Sequence, residues 1–242
     1  MDALVEKERK LFIKENKIKQ DLFLSRREDY YIGIEKAFDD AFNQYARRTK
    51  HSYATDKKTL MEPVLEKLYQ YFTTDSADFD NCFKECIKLS MEILDNQRYG
   101  IAQKFVNMSF KYLYCYDDIA TYESKFERCH LPLDKYTIMW VRSLKIKEIN
   151  SALSNINNAW TNISKELYEE IQKQVSAKLS NNINYKISYN PNAKNEGLYL
   201  LPQNRLETEF IVWHQEKLNE LHKMFSKASA EDWDRLGITK IS

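Results

Sequence analysis

The sequence predicts an all-α fold of two helical lobes within one unit spanning residues 1–242, with a small β-hairpin near 183–201. Only four Gly and four Pro occur in the whole chain, too few for the many tight turns of a β-sandwich or barrel. Apolar side chains also recur at helical spacing through most of the sequence. A length of 242 residues is sufficient for one substantial core.

Bulk composition is that of an ordinary globular protein, with 43% apolar and 30% charged residues. No apolar run approaches the roughly 18 residues that a membrane span needs. The charged start over residues 1–10 is unlike a signal peptide, and the four cysteines show no disulfide-like spacing. We therefore expect a cytoplasmic protein with reduced thiols and no membrane partner.

The first segment, residues 3–22, places Leu4, Leu11 and Ile18 seven positions apart, with Lys and Glu between them. Seven is the spacing of a coiled-coil seam, but fewer than three heptads give little support for one. An amphipathic helix packed on its own domain is the favoured interpretation. The alternative is a homodimer that pairs through this N-terminal helix.

Helical periodicity continues through the rest of the N-terminal half. Asp78 is well placed to cap one of these helices, and residues 95–100 (DNQRYG) interrupt the pattern. The predicted helices occupy residues 28–48, 57–72, 79–94 and 102–116.

The C-terminal half is also helical apart from two segments. Residues 117–133 are polar without a clear period, which predicts a loop with at most a short helical turn. Between 183 and 201, Tyr185, Ile187 and Tyr189 alternate and turn sequences follow them, which predicts a β-hairpin. The remaining predicted helices occupy residues 136–141, 144–157, 162–180, 205–225 and a short stretch near Asp232.

Two short segments carry the most specific chemical signal, residues 99–104 (YGIAQK) and 130–134 (HLPLD). Each lies at the start of an apolar helix, and they offer one lysine, Lys104, and one carboxylate, Asp134. Partial burial and the positive end of a helix dipole both favour a neutral amine at Lys104, and a neutral amine is a nucleophile. On residue statistics alone, a solvent-facing Lys104 is the more common outcome.

Asp134 follows Pro132, which enforces an extended approach and places the aspartate at the N-cap of the next helix. A cap needs no further role. A carboxylate held by backbone N–H groups can nevertheless stabilise the positive charge that develops on a sugar when its base leaves. A nucleophilic amine and a fixed carboxylate are together the minimum for cleaving an N-glycosidic bond through a Schiff base.

The order of these features resembles the helix-hairpin-helix DNA glycosylases. The features are a glycine turn, a lysine that opens an apolar helix, a loop, and a Pro-x-Asp sequence that starts the next helix. The interval between lysine and aspartate is most similar to their archaeal 8-oxoguanine glycosylase branch. The resemblance covers residues 95–142. It implies that Lys104 attacks the anomeric carbon of the sugar and that Asp134 assists. We expect no metal and no other cofactor.

The same resemblance implies that the backbone amides of Gly100, Ile101 and Ala102 grip a DNA phosphate. The chain departs from the family pattern here, because the usual hairpin has two glycines flanking one residue and Ala102 stands at the second glycine position. Alanine disfavours positive φ, so the grip is altered or absent. The C-terminus also has no four-cysteine iron–sulfur signature, which many members of the superfamily lack as well.

Aromatic side chains are needed in such a site, because a glycosylase flips the target base and stacks it on aromatic rings. Trp160 lies in a polar setting and is the best candidate for this base pocket, with Phe105 as a second candidate. Trp140 and Trp213 lie within helical apolar patterns and are expected in the core.

The charge pattern favours a DNA partner for the middle of the chain. The net charge is only +1, so any basic face must be local. Residues 98–147 hold nine Lys or Arg against five Asp or Glu, which leaves the rest of the chain at −3. We expect this middle region to face the polyanion.

A zinc site is the main competing constellation, since cysteine and histidine are zinc ligands. Its candidate ligands are Cys82, Cys86, Cys129 and His130. The first two share a helix face with Phe79 and Phe83, which is the usual setting of buried structural cysteines. We therefore do not favour this site.

The sequence thus predicts a DNA glycosylase, with AP-lyase activity as a further expectation, that excises a modified base through a Schiff base on Lys104. Two alternatives remain open. One is a non-catalytic helical protein that acts through protein–protein interaction. The other is a glycosylase-like fold that binds nucleic acid or a modified nucleotide without cleaving it. The sequence does not say which base is excised.

Overall fold

Helices make up most of the described chain, and the predicted all-α class with a small hairpin is confirmed. The computed structural model describes residues 2–49, 57–94, 98–188 and 197–224. Two 3-10 turns lie at Ile119–Tyr122 and Trp160–Asn162. The helices are α1 Ala3–Glu15, α2 Arg27–Thr49, α3 Lys57–Thr73, α4 Phe79–Ile93, α5 Tyr99–Leu113, α6 Glu123–Phe126, α7 Lys135–Ser143, α8 Lys147–Asn155, α9 Lys165–Ser180 and α10 Arg205–Met224. The division into two lobes stays a prediction.

Helix α5 lies at the centre of the fold, with α2, α4, α9 and the turn Trp160–Asn162 packed around it. Every residue from Gly100 to Leu113 is buried. A surface helix buries one apolar stripe, whereas α5 buries all its faces. Its polar side chains must therefore find partners inside the protein. These side chains are Gln103, Lys104, Asn107, Ser109 and Lys111.

Helix α5 begins at Tyr99, three residues before the predicted start at 102, so Gly100 lies in the first helical turn. The backbone of the turn Trp160–Asn162 approaches α5 at this glycine. A Cβ atom on Gly100 would lie 2.1 Å from the carbonyl oxygen of Trp160. The close approach explains why a glycine occupies this helical position. Residues 95–97 of the predicted break lie outside the described residues.

Both predicted N-caps are confirmed. The Asp78 carboxylate accepts a hydrogen bond from the Asn81 amide at 2.9 Å and opens α4. Asp134 opens α7 in a capping box, since its own amide donates to the Thr137 hydroxyl at 2.8 Å. Each cap satisfies amides that the first helical turn leaves without a partner.

The predicted hairpin is also confirmed. Strand β1, Asn184–Ile187, pairs antiparallel with β2, Gly197–Leu200, with Tyr185 opposite Tyr199. The Tyr185 hydroxyl donates to Glu216 at 2.8 Å, which fastens the hairpin to α10. The short helix predicted near Asp232 falls outside the described residues.

Helix α1 gives no support to the alternative of a seven-residue coiled-coil seam. It ends at Glu15, so Ile18 is not on the helix and is instead buried in the core of the same chain. The buried face of α1 carries Val5 and Phe12, and this face packs on α10. The helix packs on its own domain, the favoured interpretation, and a homodimer through it has no support.

No described helix is long and apolar enough to cross a membrane. The four cysteines are free thiols, and Cys86, Cys115 and Cys129 are buried. Burial raises the pKa of Cys115 to about 12, so this thiol stays protonated at neutral pH.

Gly100→Ala should destabilise the protein by about 2 kcal/mol, because the new methyl group meets a backbone carbonyl rather than a flexible side chain. Chemical denaturation measures the change. Lys84→Ala, at an exposed position of α4, is the control and should change stability by less than about 0.5 kcal/mol. Helix propensity alone favours alanine by about 1 kcal/mol, so a Gly100→Ala variant as stable as the wild type would contradict the close approach.

Candidate active site

Lys104 and Asp134 belong to one interior cluster of charged groups, which we call the inner polar cluster. Its members are Asp40, Lys104, Lys111, Asp134 and Glu209. Both lysines and Asp134 act electrostatically on the carboxyl groups of Asp40 and of Glu209. Helices α2, α5 and α10 and the start of α7 supply these five side chains. The fold therefore brings together groups that are far apart in the sequence.

Lys104 is 7% exposed, which is unusual for a lysine. Its ammonium nitrogen lies 4.6 Å from the centre of the Trp160 ring, a cation–π contact. Within the described part of the chain no carboxylate forms an ion pair with it. Trp160, predicted as a pocket residue, is therefore brought to Lys104.

Asp134 is 8% exposed, and N–H donors hold both of its carboxylate oxygens. Oδ1 accepts from the backbone amides of Tyr136 at 2.9 Å and Thr137 at 3.1 Å. Oδ2 accepts from the indole Nε1 of Trp213 at 2.9 Å. Among the described residues no lysine or arginine pairs with this carboxylate. Its position is thus fixed while its charge is not neutralised by an ion pair.

Lys111 lies on the same face of α5 as Lys104, two turns later, and is 1% exposed. Its Nζ atom lies 2.5 Å from Oε2 of Glu209. Three aromatic rings enclose the ammonium at 3.9, 4.8 and 5.0 Å, those of Phe12, Phe210 and Trp213. Trp213 therefore contacts both parts of the cluster, Asp134 through its N–H and Lys111 through its ring.

Glu209 is fully buried, and burial raises the pKa of its carboxyl group to about 7. The Lys111 ammonium opposes that rise. Among the described residues, the Lys111 ammonium pairs with Oε2 of Glu209, while Oε1 has no hydrogen-bond partner. The group is consequently poised between its charged and neutral forms near neutral pH.

Asp40 of α2 forms the other edge of the cluster. The Tyr112 hydroxyl donates a hydrogen bond to Asp40 Oδ2 at 2.7 Å. Burial raises the pKa of Asp40, while the Tyr112 hydrogen bond and the two lysines oppose the rise. Asp40 thus provides a second carboxyl group within electrostatic reach of Lys104.

The assignment of Phe105 to a base pocket is wrong. Its side chain is fully buried and packs edge-on against Phe38 and Phe42 at 5.5 and 5.6 Å. Adjacent residues on a helix point about 100° apart. Phe105 therefore faces the α2 core, whereas Lys104 faces the inner polar cluster. Trp140 is fully buried, as expected for a core residue.

Sequence reasoning missed Trp213 and Glu209, because Trp213 was assigned to the core. One signal was present, since Glu209 precedes the apolar run 210–213. A carboxylate next to such a run, on the same helix face as a tryptophan four residues later, indicates a buried charge that needs a partner, although Trp213 itself is only partly buried and does not lie in the expected core. Lys111, seven residues after Lys104 in an apolar helix, carries the same signal.

The start of α5 does not favour the predicted phosphate grip. The amides of Ile101 and Ala102 both donate to the Arg98 carbonyl, at 3.0 and 3.1 Å, and the segment from Gly100 to Ala102 is buried. A phosphate would have to replace that carbonyl as acceptor. The role of these amides therefore stays a prediction.

The expected basic excess of residues 98–147 is only partly at the surface. Lys104 and Lys111 are two of its nine cations and both are buried. Arg128 pairs with Asp78 and Asp80. The basic face available to a polyanion is accordingly smaller than the sequence indicates.

The zinc alternative gains no support. In the described ranges no group of three or more His, Cys, Asp or Glu side chains is arranged to hold a metal ion. His130 Nδ1 lies 2.8 Å from the Tyr168 hydroxyl, and burial lowers the pKa of His130 to about 3. The histidine is therefore neutral and part of the internal packing.

No protein family, characterised protein or solved structure matches this chain. The resemblance to helix-hairpin-helix glycosylases therefore depends on the segments around Lys104 and Asp134. Function must be argued from the inner polar cluster itself.

The raised pKa of Glu209 predicts a specific pH dependence of stability. Between its ordinary pKa of 4.5 and its folded value of about 7, the folded protein retains a proton that the unfolded chain releases. Stability relative to a Glu209→Gln variant should therefore fall by about 3 kcal/mol as pH rises through this window, and stay constant above it. Urea unfolding of both proteins at a series of pH values measures the difference.

The comparison with the variant is necessary because His130 has the opposite effect. Its folded pKa is lowered to about 3, so it makes the protein more stable as pH rises towards 6.5. Glu169→Gln, at an exposed carboxyl group of α9, is the control substitution. If the stability of the wild type relative to Glu209→Gln instead rose with pH, the pKa of Glu209 would be lowered and the prediction would fail.

Proposed function

We propose that this protein is a DNA glycosylase with AP-lyase activity that uses Lys104 as its nucleophile and Asp134 as the charge-stabilising carboxylate. One observation carries the proposal. Lys104 and Asp134 are both more than nine-tenths buried in the same cluster, and among the described residues neither has an ion-pair partner. Burying a charge without a partner is costly, and such costs concentrate at functional sites.

The chemistry follows from the two groups. The Lys104 amine attacks the anomeric carbon of the sugar, the N-glycosidic bond breaks, and the base leaves with the bonding electrons and takes up a proton. Asp134 stabilises the positive charge on the sugar during this step. The sugar ring then opens, its oxygen takes up a proton, and a protonated imine to Lys104 remains. Loss of a C2′ proton and of the 3′ phosphate completes the lyase reaction.

The aromatic side chains fit the same role. Trp160 covers the Lys104 ammonium, and its displacement would give a sugar access to the amine. Trp213, Phe210 and Phe12 surround the Lys111–Glu209 pair, beside Asp134. Of these three rings only that of Trp213 is partly exposed, so we assign to it the second aromatic face for a flipped base.

The competing hypothesis, a helical interaction protein, is favoured by one surface feature. Strand β2 exposes Leu198 at 74% and Leu200 at 58%, and contiguous exposed apolar side chains are typical of contact surfaces. Retention on DNA separates the hypotheses, because DNA binding weakens steeply with salt. A fold that binds DNA without cleaving it would be retained and yet form no covalent adduct.

Borohydride treatment with duplex DNA that carries an abasic site should trap the wild-type protein covalently. Lys104→Ala should abolish the adduct, because the imine forms on this amine. Lys135→Ala is the matched control and should keep it, since Lys135 lies next to Asp134 but is 58% exposed. Denaturing gel electrophoresis of labelled DNA measures the adduct.

Absence of an adduct from the wild-type protein would remove the lyase claim. If the wild type also failed to bind DNA at low salt, the interaction hypothesis would replace the enzyme hypothesis. An adduct that persists in Lys104→Ala would assign the chemistry to another amine.

Asp134→Asn should slow adduct formation about 100-fold, because loss of water from the carbinolamine that Lys104 forms with the abasic aldehyde develops positive charge at C1′, and the variant lacks the negative charge that stabilises it. Asparagine caps helices as well as aspartate does, so α7 should remain formed although the Trp213 hydrogen bond is lost. Asp78→Asn makes the same substitution at the cap of α4 and should leave the rate unchanged. Equal rates in both variants would show that Asp134 is only a helix cap.

A further inference from the structure

Two buried glutamine side chains hold the extended segment that leads into Asp134. Gln172 of α9 accepts from the Leu131 amide at 3.0 Å and donates to the Leu131 carbonyl at 2.7 Å. Gln103 of α5 accepts from the Leu133 amide at 3.2 Å and donates to the Leu133 carbonyl at 2.8 Å. Each side-chain amide thus satisfies both polar groups of one backbone residue.

This pattern imitates a neighbouring β-strand. In an extended chain, alternate residues direct their N–H and C=O groups to the same side, and Leu131 and Leu133 are alternate residues. Both leucines and both glutamines are buried, so water cannot replace the four hydrogen bonds. Helix α5 therefore holds the segment at Leu133, and helix α9 holds it at Leu131.

Gln103 is itself fixed by two additional hydrogen bonds. Its Nε2 atom also donates to the Gly100 carbonyl at 2.9 Å, and its Oε1 atom also accepts from Asn107 Nδ2 at 3.1 Å. Asn107 in turn donates to the Tyr168 hydroxyl at 2.9 Å. The hydrogen bonds of this buried network fix the orientation of the Gln103 side chain, although Asn107 Oδ1 has no hydrogen-bond partner among the described residues.

The Gln103 hydrogen bonds join Gln103 itself to Leu133, and these two residues are the immediate neighbours of Lys104 and Asp134. Gln103 precedes Lys104 on α5, and Leu133 precedes Asp134 at the α7 cap. We propose that Gln103 is the positioning residue of this site, which sets the separation between the Lys104 amine and the Asp134 carboxylate. This inference rests on the proposed function of those two groups and deepens it.

Gln172 provides the internal comparison. It makes the same pair of hydrogen bonds to the backbone, but it lies on α9 and holds Leu131, three residues before Asp134. It is not on the helix that carries Lys104. A positioning role predicts that only Gln103 affects where Asp134 lies relative to Lys104.

The test compares Gln103→Met with Gln172→Met, since methionine has nearly the shape of glutamine and no amide. Both variants should lower the midpoint of thermal unfolding, because each leaves two backbone groups unpaired, and Gln103→Met should lower it more, because it also loses the hydrogen bonds to Gly100 and Asn107. Only Gln103→Met should slow single-turnover borohydride trapping, by about 100-fold, since small misplacements of reacting groups cost this much. The Kd for abasic-site DNA should be unchanged in both.

A second measurement does not depend on activity. The indole N–H of Trp213 donates to Asp134 Oδ2, so its NMR resonance reports where Asp134 lies, and Trp213→Phe assigns it. In the free protein, Gln103→Met should shift this resonance and Gln172→Met should not. Gln103→Glu keeps the acceptor for the Leu133 amide and loses the donor, and it replaces Gln103→Met if that variant does not fold.

The outcomes separate the two proposals. An unchanged Trp213 resonance in the Gln103 variant, or equal shifts and equal trapping rates in both variants, overturns the positioning role. If the wild type forms no adduct, the proposed lyase function fails, while the resonance still decides whether Gln103 places Asp134.

Discussion

The complete burial of α5 is the constraint on which the rest of this structure depends. A helix that carries amides and two lysines into the core loses the hydration of each group, and each loss must be offset by a partner. Gln103 is satisfied by the backbone of Leu133. Lys111 is satisfied by Glu209 and by aromatic rings. The neighbouring helices are therefore arranged around the polar side chains of α5 as much as around its apolar ones.

Lys104 and Asp134 differ from Lys111 in that, within the described residues, neither has an ion-pair partner. Lys104 has an aromatic ring where Lys111 has a carboxylate, although the two lysines share one face of one helix. Asp134 receives neutral N–H donors from α7 and α10 instead of a cation. Proteins break local rules chiefly where function requires it. This difference between two otherwise similar lysines favours a chemical role for the first.

Trp213 joins the parts of the site that the chain supplies from distant positions. Its indole N–H holds Asp134, its ring contacts Lys111, and Phe12 of α1 packs edge-on against it at 6.4 Å. Helices α1 and α10 therefore complete a candidate site whose proposed reactive groups belong to α5 and α7. The packing of α1 on α10 is part of the same arrangement.

The sequence by itself determined the features that depend on interactions within a few residues. The N-caps Asp78 and Asp134, the hairpin and most helix bounds follow from side chains and backbone groups close together in the chain. Tertiary structure decided the rest, because long-range packing is not encoded in local spacing. Long-range packing starts α5 at Tyr99 and buries Phe105 in the core. It also places Trp213 beside Asp134 and Glu209 beside Lys111. The chemistry of the site depends on these distant contacts, since burial and partner choice set the charge state of each group.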